Sequence, residues 1–141
     1  MAFDANGNLW VTNSGNSSVT EISHTGTVLS GTSGYTVGGL NAPSAIAIDS
    51  TGNAWIANSG NASITELSST GGNVGSSLYF GGGLSDPVSL AFDVSGNAWL
   101  ANAGNNSLSE FSSTGVALSP ANTSYTSSSV STPLGVALNP H

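Results

Sequence analysis

The sequence predicts an all-β protein built from three copies of one four-stranded unit, and three observations predict it. The 141-residue chain repeats itself at intervals of 45 and 44 residues. Each copy breaks into short apolar runs of strand length, separated by turns rich in Gly, Asn and Ser. No stretch carries the apolar spacing of a helix.

The repeat is read by laying the chain on itself. Asp4, Asp49 and Asp93 fall in register, as do Gly7, Gly52 and Gly96, and Asn8, Asn53 and Asn97. Trp10, Trp55 and Trp99 follow, then Asn13, Asn58 and Asn102, and Gly15, Gly60 and Gly104. The register runs on through Glu21, Glu66 and Glu110 to Gly26, Gly71 and Gly115. Pro43, Pro87 and Pro133 mark where each copy restarts, giving repeats of about 1–42, 43–86 and 87–132, with 133–141 left over.

The second copy shows the elements in order. Ser44–Ile48 is an apolar run after a proline, a first strand. Asp49-Ser50-Thr51-Gly52-Asn53 is a turn in which a carboxylate can accept backbone N–H groups and glycine can take positive φ. Ala54–Ala57 is a second strand, and Asn58–Asn61 a hairpin turn. Ser63–Leu67 alternates apolar with polar residues, as a third strand covered on one face should. Thr70-Gly71-Gly72 ends it, and a weaker fourth strand is expected around Ser77–Phe80.

Four strands in this length is the content of one propeller blade. A β-solenoid usually repeats at shorter periods, and a sandwich has no need of a Trp and two turns recurring in register. The pattern Pro-x-x-Ile-Ala-Ile-Asp-x-x-Gly-Asn-x-Trp-Ile-Ala-Asn-x-Gly-Asn-x-Ser-Ile at Pro43–Ile64 resembles the NHL repeat. In style it is similar to the branch related to virginiamycin B lyase and to bacterial secreted proteins with many such repeats. The resemblance covers nearly the whole chain except Ser119–Thr132, which reads as a flexible polar connector, O-glycosylated if the protein is secreted. It implies a propeller of about six blades and little about activity, because the repeat is a scaffold. Activity in the lyase depends on histidines and an acid around a divalent metal. No histidine here occupies a repeated position, so no catalytic residue is carried over.

Composition narrows the partners. The chain has seven acids and neither Lys nor Arg, so its formal net charge is −7 and no fixed-charge ion pair can form within it. Only His24 and His141 have side chains that can become cationic. Nucleic-acid binding by phosphate neutralisation lacks its basic groups, and a phosphate-handling site lacks them too. An anionic membrane surface repels such a chain, and no apolar run reaches the length of a membrane span. Cysteine is absent and gives no clue to compartment. The opening Met1-Ala2-Phe3-Asp4 is not a secretory signal, so an exported form is expected to be mature or part of something longer.

Several residues are candidates for function, each with a structural alternative. Trp10, Trp55 and Trp99 would make a sugar-stacking platform, but apolar neighbours on strands packed from both sides favour a role in the core. Asp4, Asp49 and Asp93 end the innermost strands, and a ring of carboxylates at one mouth of a channel would attract Ca²⁺. The alternative is an Asx-type turn cap, which explains the Asp-x-x-Gly-Asn spacing without any ligand. No other cofactor is implied. Glu21, Glu66 and Glu110 share a strand face with Val19, Ile64 and Leu108 and read as structural acceptors of Ser, Thr or backbone donors. Asn16, Asn61, Asn105 and Asn122 open N-glycosylation triplets, although chance alone yields such triplets in so Asn-, Ser- and Thr-rich a chain.

The terminal stretches pose a counting problem. Three blades do not close a propeller. Met1–Asp4 matches only the tail of a first strand, while Pro133, Leu134, Gly135, Val136, Ala137 and Leu138, with Asn139, form a further copy of that strand. An unpaired inner strand is an exposed edge. Two chains would make a six-bladed ring, head-to-tail donation without closure would give a filament, and a longer propeller would contain the chain as a fragment. The expected function is a non-enzymatic, extracellular or surface-exposed scaffold acting by self-assembly or binding. The alternatives are a filament subunit joined by strand donation and a metal-dependent lyase or hydrolase.

Overall fold

The computed structural model describes residues 1–120 and 124–138. Eleven strands and no helix occur among them. They form three antiparallel sheets, each a meander in chain order. The first holds β1 (Ala2–Phe3), β2 (Leu9–Asn13) and β3 (Ser18–Ile22). The second holds β4 (Pro43–Ile48), β5 (Ala54–Asn58), β6 (Ser63–Leu67) and β7 (Asn73–Tyr79). The third holds β8 (Pro87–Phe92), β9 (Ala98–Asn102), β10 (Ser107–Phe111) and β11 (Tyr125–Thr126).

Register repeats with the sequence. Trp10 stands opposite Glu21, Trp55 opposite Glu66, and Trp99 opposite Glu110. β4 and β8 each carry an irregularity just after their proline, where a residue is skipped in the pairing. Such a bulge follows from proline, which has no N–H to give the ladder.

The first sheet has three strands where four were expected, and the fourth place is held by a single bridge between Val19 and Tyr35. The fourth strand of the second sheet begins at Asn73, four residues before the expected start at Ser77. Ser119–Thr132 is not merely a connector. It contributes β11, and Ser119 and Ser124 are buried. The Ser119 hydroxyl donates to Gly82 O at 2.9 Å and accepts the Glu110 N–H at 3.1 Å, which ties the stretch to its blade.

The core lies between the sheets, as befits blades stacked side by side. Trp10 and Val19 of the first sheet pack with Ile46, Ala54, Ile56 and Leu67 of the second. Trp55, Ala57 and Ile64 on the other face of the second sheet pack with Leu90, Ala98, Leu100 and Phe111 of the third. The middle sheet is therefore covered on both sides. This corrects the expectation of a half-covered third strand, because all five residues of β6 are buried.

The outer sheets do show alternation, and in opposite phase. In β3, Val19 and Glu21 are buried while Thr20 and Ile22 are half-exposed. In β10, Ser109 and Phe111 are buried while Leu108 and Glu110 are half-exposed. Each outer sheet thus leaves one face uncovered, and the two uncovered faces are the opposite sides of the repeating unit.

Candidate functional site

Each sheet carries one copy of a hydrogen-bonded relay built from the recurring polar residues. In the second sheet Asp49 Oδ1 accepts the backbone N–H of Thr51 at 2.8 Å and of Asn53 at 2.9 Å. Its Oδ2 accepts the Trp55 indole N–H at 3.0 Å. The Asn53 amide donates to Glu66 Oε1 at 2.9 Å, and Glu66 Oε2 accepts the Tyr79 hydroxyl. Tyr79 stacks on Trp55 with ring centroids 5.3 Å apart, which closes the circuit.

The same relay joins Asp4, Asn8, Trp10, Glu21 and Tyr35, with the Tyr35 hydroxyl 2.6 Å from Glu21 Oε2. In the third sheet it joins Asp93, Asn97, Trp99, Glu110 and Tyr125, the last bond being 2.9 Å. A carboxylate buried without a cation needs several donors, since burial penalises the charge. The relay supplies them, and it accounts for the recurring Glu. The partners are Asn and Tyr side chains, not the Ser, Thr or backbone donors expected from sequence.

The electrostatics follow from these contacts. Burial, reinforced by the bond to the neighbouring Glu, pushes the Tyr35 and Tyr79 phenols well above their ordinary range. Tyr125 is raised chiefly by its bond to Glu110. For Asp4, desolvation acts to raise the carboxyl, but the Asn8 N–H, the Trp10 indole and the Asn6 N–H outweigh it and hold the acid below its usual value. Asp93 is lowered in the same way by Asn97, Trp99 and Ser95. A phenol held protonated is no general base, and a carboxylate with both oxygens bonded is a poor one.

The Asp residues cap their own turns, each within its own sheet. Among the described residues no three His, Asp or Glu side chains gather into a set able to hold a metal ion. A cleft of about 430 Å³ does run between the second and third sheets, lined by Asp49, Glu66 and Asp93 together with turn residues. Its acids are engaged in the relays just described. His24 is exposed, and His141 lies outside the described residues.

Trp10 and Trp55 are fully buried, and no ligand can stack on them. Phe92 of the third sheet meets Trp55 edge-on at 5.6 Å. Trp99 is half-buried, with Tyr125 stacked on it at 5.5 Å. Of the glycosylation triplets, Asn16 and Asn105 are exposed and Asn61 is half-exposed. The Ser at the third position of each triplet (Ser18, Ser63 and Ser107) is buried and donates to the Asn side chain. Asn122 lies outside the described residues.

A second recurring device joins one blade to the next. Asn58 donates to the Ser63 and Thr65 hydroxyls at 3.1 and 2.9 Å, while its Oδ1 accepts the Asn41 N–H at 3.0 Å. Asn102 repeats this with Ser107, Ser109 and the Ser85 N–H. Each buried Asn thereby pins the linker arriving from the preceding sheet. Among the described residues, Pro133–Leu138 pair with no second strand and form no strand themselves. They lie along β8, where the Val136 N–H donates to the Ser89 hydroxyl at 3.1 Å. Asn139 lies outside the described residues.

The sequence reading aligned Asn13, Asn58 and Asn102 and set Asn58 at the start of a hairpin turn, whereas it is the last residue of β5 and pins the linker. It also missed Tyr35, Tyr79 and Tyr125. The tyrosines recur at 44 and 46 residues and are the only three in the chain. Linkers of unequal length obscured their register.

This architecture defines a class: consecutive blades of a β-propeller. No protein-family model matches the chain, and no curated protein matches it. Solved structures do. A streptogramin B lyase superposes with a TM-score of 0.69 at 16% identity, over 82% of this chain and 37% of the lyase. Virginiamycin B lyase from Staphylococcus aureus, in its selenomethionine form, gives 0.69 at 18% identity over 82% and 38%. Hydrazine synthase from Kuenenia stuttgartiensis gives 0.74 at 17% identity over 95% and 36%. The chain thus spans less than two-fifths of the length of each, and the likeness is one of fold.

Proposed function

We propose that this chain is a non-catalytic propeller module of the cell exterior that works by assembling through its two uncovered blade faces. One observation carries the reading. The recurring Asp, Asn, Trp, Glu and Tyr side chains are bonded to one another, and what remains unsatisfied is a pair of faces, one on each outer sheet. The face bearing Trp99 and Tyr125 matches the one that carries Trp55 and Tyr79 and is covered by the third sheet. The face bearing Val11 and Asn13 matches the one that carries Ile56 and Asn58 and is covered by the first. Two such chains would supply the six blades expected of a ring with this repeat.

An exterior free of Lys and Arg suits an extracellular setting, where trypsin-like proteases find no bond to cut. The solved neighbours include enzymes, and a lyase role for this chain would call for ionisable groups with unbonded atoms in a cleft. Light scattering tests the proposal. A particle of twice the 13.8 kDa chain mass is expected, a polymer would support assembly as a filament, and a monomer at every concentration would overturn the assembly reading.

A further inference from the structure

We infer, resting on that assembly reading, that the outer face of the first sheet is a docking groove for residues 128–136 of a second copy. The incoming segment seats there as the internal linkers seat on the second and third sheets. Four features that recur in all three blades support this, each occupied in the second and third blades and open in the first.

The first is the Asn that pins the linker. Asn58 Oδ1 receives the Asn41 N–H and Asn102 Oδ1 the Ser85 N–H, at residues two before Pro43 and Pro87. Asn13 holds its own hydroxyls, Ser18 and Thr20, but among the described residues no linker N–H reaches its Oδ1. The matching donor, two residues before Pro133, is Ser131. The second feature is the backbone after that Asn. Ser59 and Gly60 donate to Ala42 O and Asn41 O, and Ala103 and Gly104 donate to Asp86 O and Ser85 O, all at 3.1 to 3.2 Å. Ser14 and Gly15 are the counterparts in the first sheet, and Thr132 O and Ser131 O are the acceptors they would find.

The third feature is the space itself. A Cβ built on Gly60 would stand 2.1 Å from Asn41, and one on Gly104 would stand 2.6 Å from Ser85, so a linker fills both places. A Cβ added at Gly15 would meet nothing within 4 Å, and a cleft of about 590 Å³ opens there, lined by Thr12, Asn13, Ser14, Gly15, Ser18 and Thr20 among others. The fourth is the glycine at the far turn. Gly71 packs on the Tyr35 ring and Gly115 on the Tyr79 ring, while a Cβ added at Gly26 would meet nothing within 4 Å, and the third such ring, Tyr125, is 40% exposed.

The incoming segment already has the required bend. Ala42 and Asp86, which precede the two internal prolines, have φ of +44° and +48°, and Thr132 has +43° before Pro133. Ordering it costs less for that reason. Register follows from the internal copies. Pro43 stands opposite Asn58 and Ile46 opposite Ile56, and Pro87 and Leu90 stand likewise opposite Asn102 and Leu100. Pro133 therefore meets Asn13 and Val136 meets Val11 on β2 of the second copy. The pairs Ala2–Trp10 and Phe3–Leu9 bring Met1 next to the place opposite Val11. Met1 is 79% exposed and unpaired, so it must swing aside for Val136, and two chains then complete one inner strand. The segment 128–136 and the named groove residues are uncharged, so the net charge of the chain sets no local repulsion at the seam.

The test uses the absence of native cysteine. V11C and V136C single variants of the full chain are mixed under mild oxidation. Antiparallel partners lie within disulfide reach, so a mixed interchain disulfide is expected, at least fivefold more abundant than with T12C in place of V11C. A second variant, Gly15→Leu, fills the groove where a lone chain has room. It should weaken association at least tenfold while leaving the urea midpoint of the single chain unchanged. An assembled wild type that gives no V11C–V136C link, or that tolerates Gly15→Leu, overturns the docking register alone. A wild type that stays monomeric overturns the assembly reading beneath it.

Discussion

Replacing Asp49 by Asn separates the two tasks of that carboxylate. Asp49 Oδ1 holds the turn through the Thr51 and Asn53 N–H groups, and Oδ2 receives the indole of the fully buried Trp55 at 3.0 Å. An Asn has a single acceptor oxygen. Kept on the turn, it sets an NH₂ against the indole N–H, which has no water to turn to. A buried donor left unsatisfied costs about 1–3 kcal/mol. The remaining turn bonds lose their charge assistance and roughly half their strength, so the whole change should cost about 2–4 kcal/mol. Urea unfolding followed by far-UV circular dichroism reads this loss. The decisive comparison is a double-mutant cycle with Trp55→Phe, which removes the indole N–H and keeps an aromatic ring in the core. In that background Asp49→Asn should cost about 1–2 kcal/mol less than in the wild type, since the two residues are coupled. Equal cost in both backgrounds would refute the claim that Asp49 serves the tryptophan.

Alkali should act through the tyrosines. Their phenols are raised in the folded chain and ionise near 10 when unfolded, so stability is full below pH 10 and falls as pH climbs beyond it. Phenolate absorbance is expected to rise together with unfolding, and free titration of Tyr79 near pH 10 in the folded chain would contradict the relay. Acid acts with the opposite sign. Asp4 and Asp93 are depressed by their donors, so the stability they lend is present above about pH 4 and lost as pH drops below it; Asp4→Asn and Asp93→Asn together should flatten that part of the pH–stability profile. Gly71→Ala and Gly26→Ala both place a side chain at positive φ, which costs about 1–2 kcal/mol. Only Gly71→Ala also drives into a ring, Tyr35, so its urea midpoint should fall further, by about another 1–3 kcal/mol of stability.

The blade repeat was legible because propeller packing asks the same residues of every unit. Asp, Gly and Asn at the first turn and Trp on the second strand each answer a local demand for a cap, a positive φ or a large apolar surface, and local demands leave marks at fixed spacing. Glu66 was visible but unexplained, since its partners Asn53 and Tyr79 lie 13 residues away on either side and meet it only across the sheet. The linker-pinning role of Asn58 was hidden for a similar reason, as it depends on a backbone N–H 17 residues earlier. The burial of all of β6 was misread because alternation in one strand reports one sheet, whereas a propeller sets a second sheet against its other face. Chemistry on Ser119–Thr132 was masked by composition, for a Ser-rich run reads as a connector until Ser119 is seen inside the blade.

On the assembly reading the open faces of the first and third sheets cover each other between copies. Amide hydrogen exchange at Ser14 and Gly15, measured in dilute and in concentrated protein, tests it most directly. Their counterparts Ser59 and Gly60 donate to a linker within the chain and should exchange slowly at any concentration. Protection at Ser14 and Gly15 should rise with concentration toward that of Ser59 and Gly60. Exchange that stays fast while the particle mass doubles would contradict it.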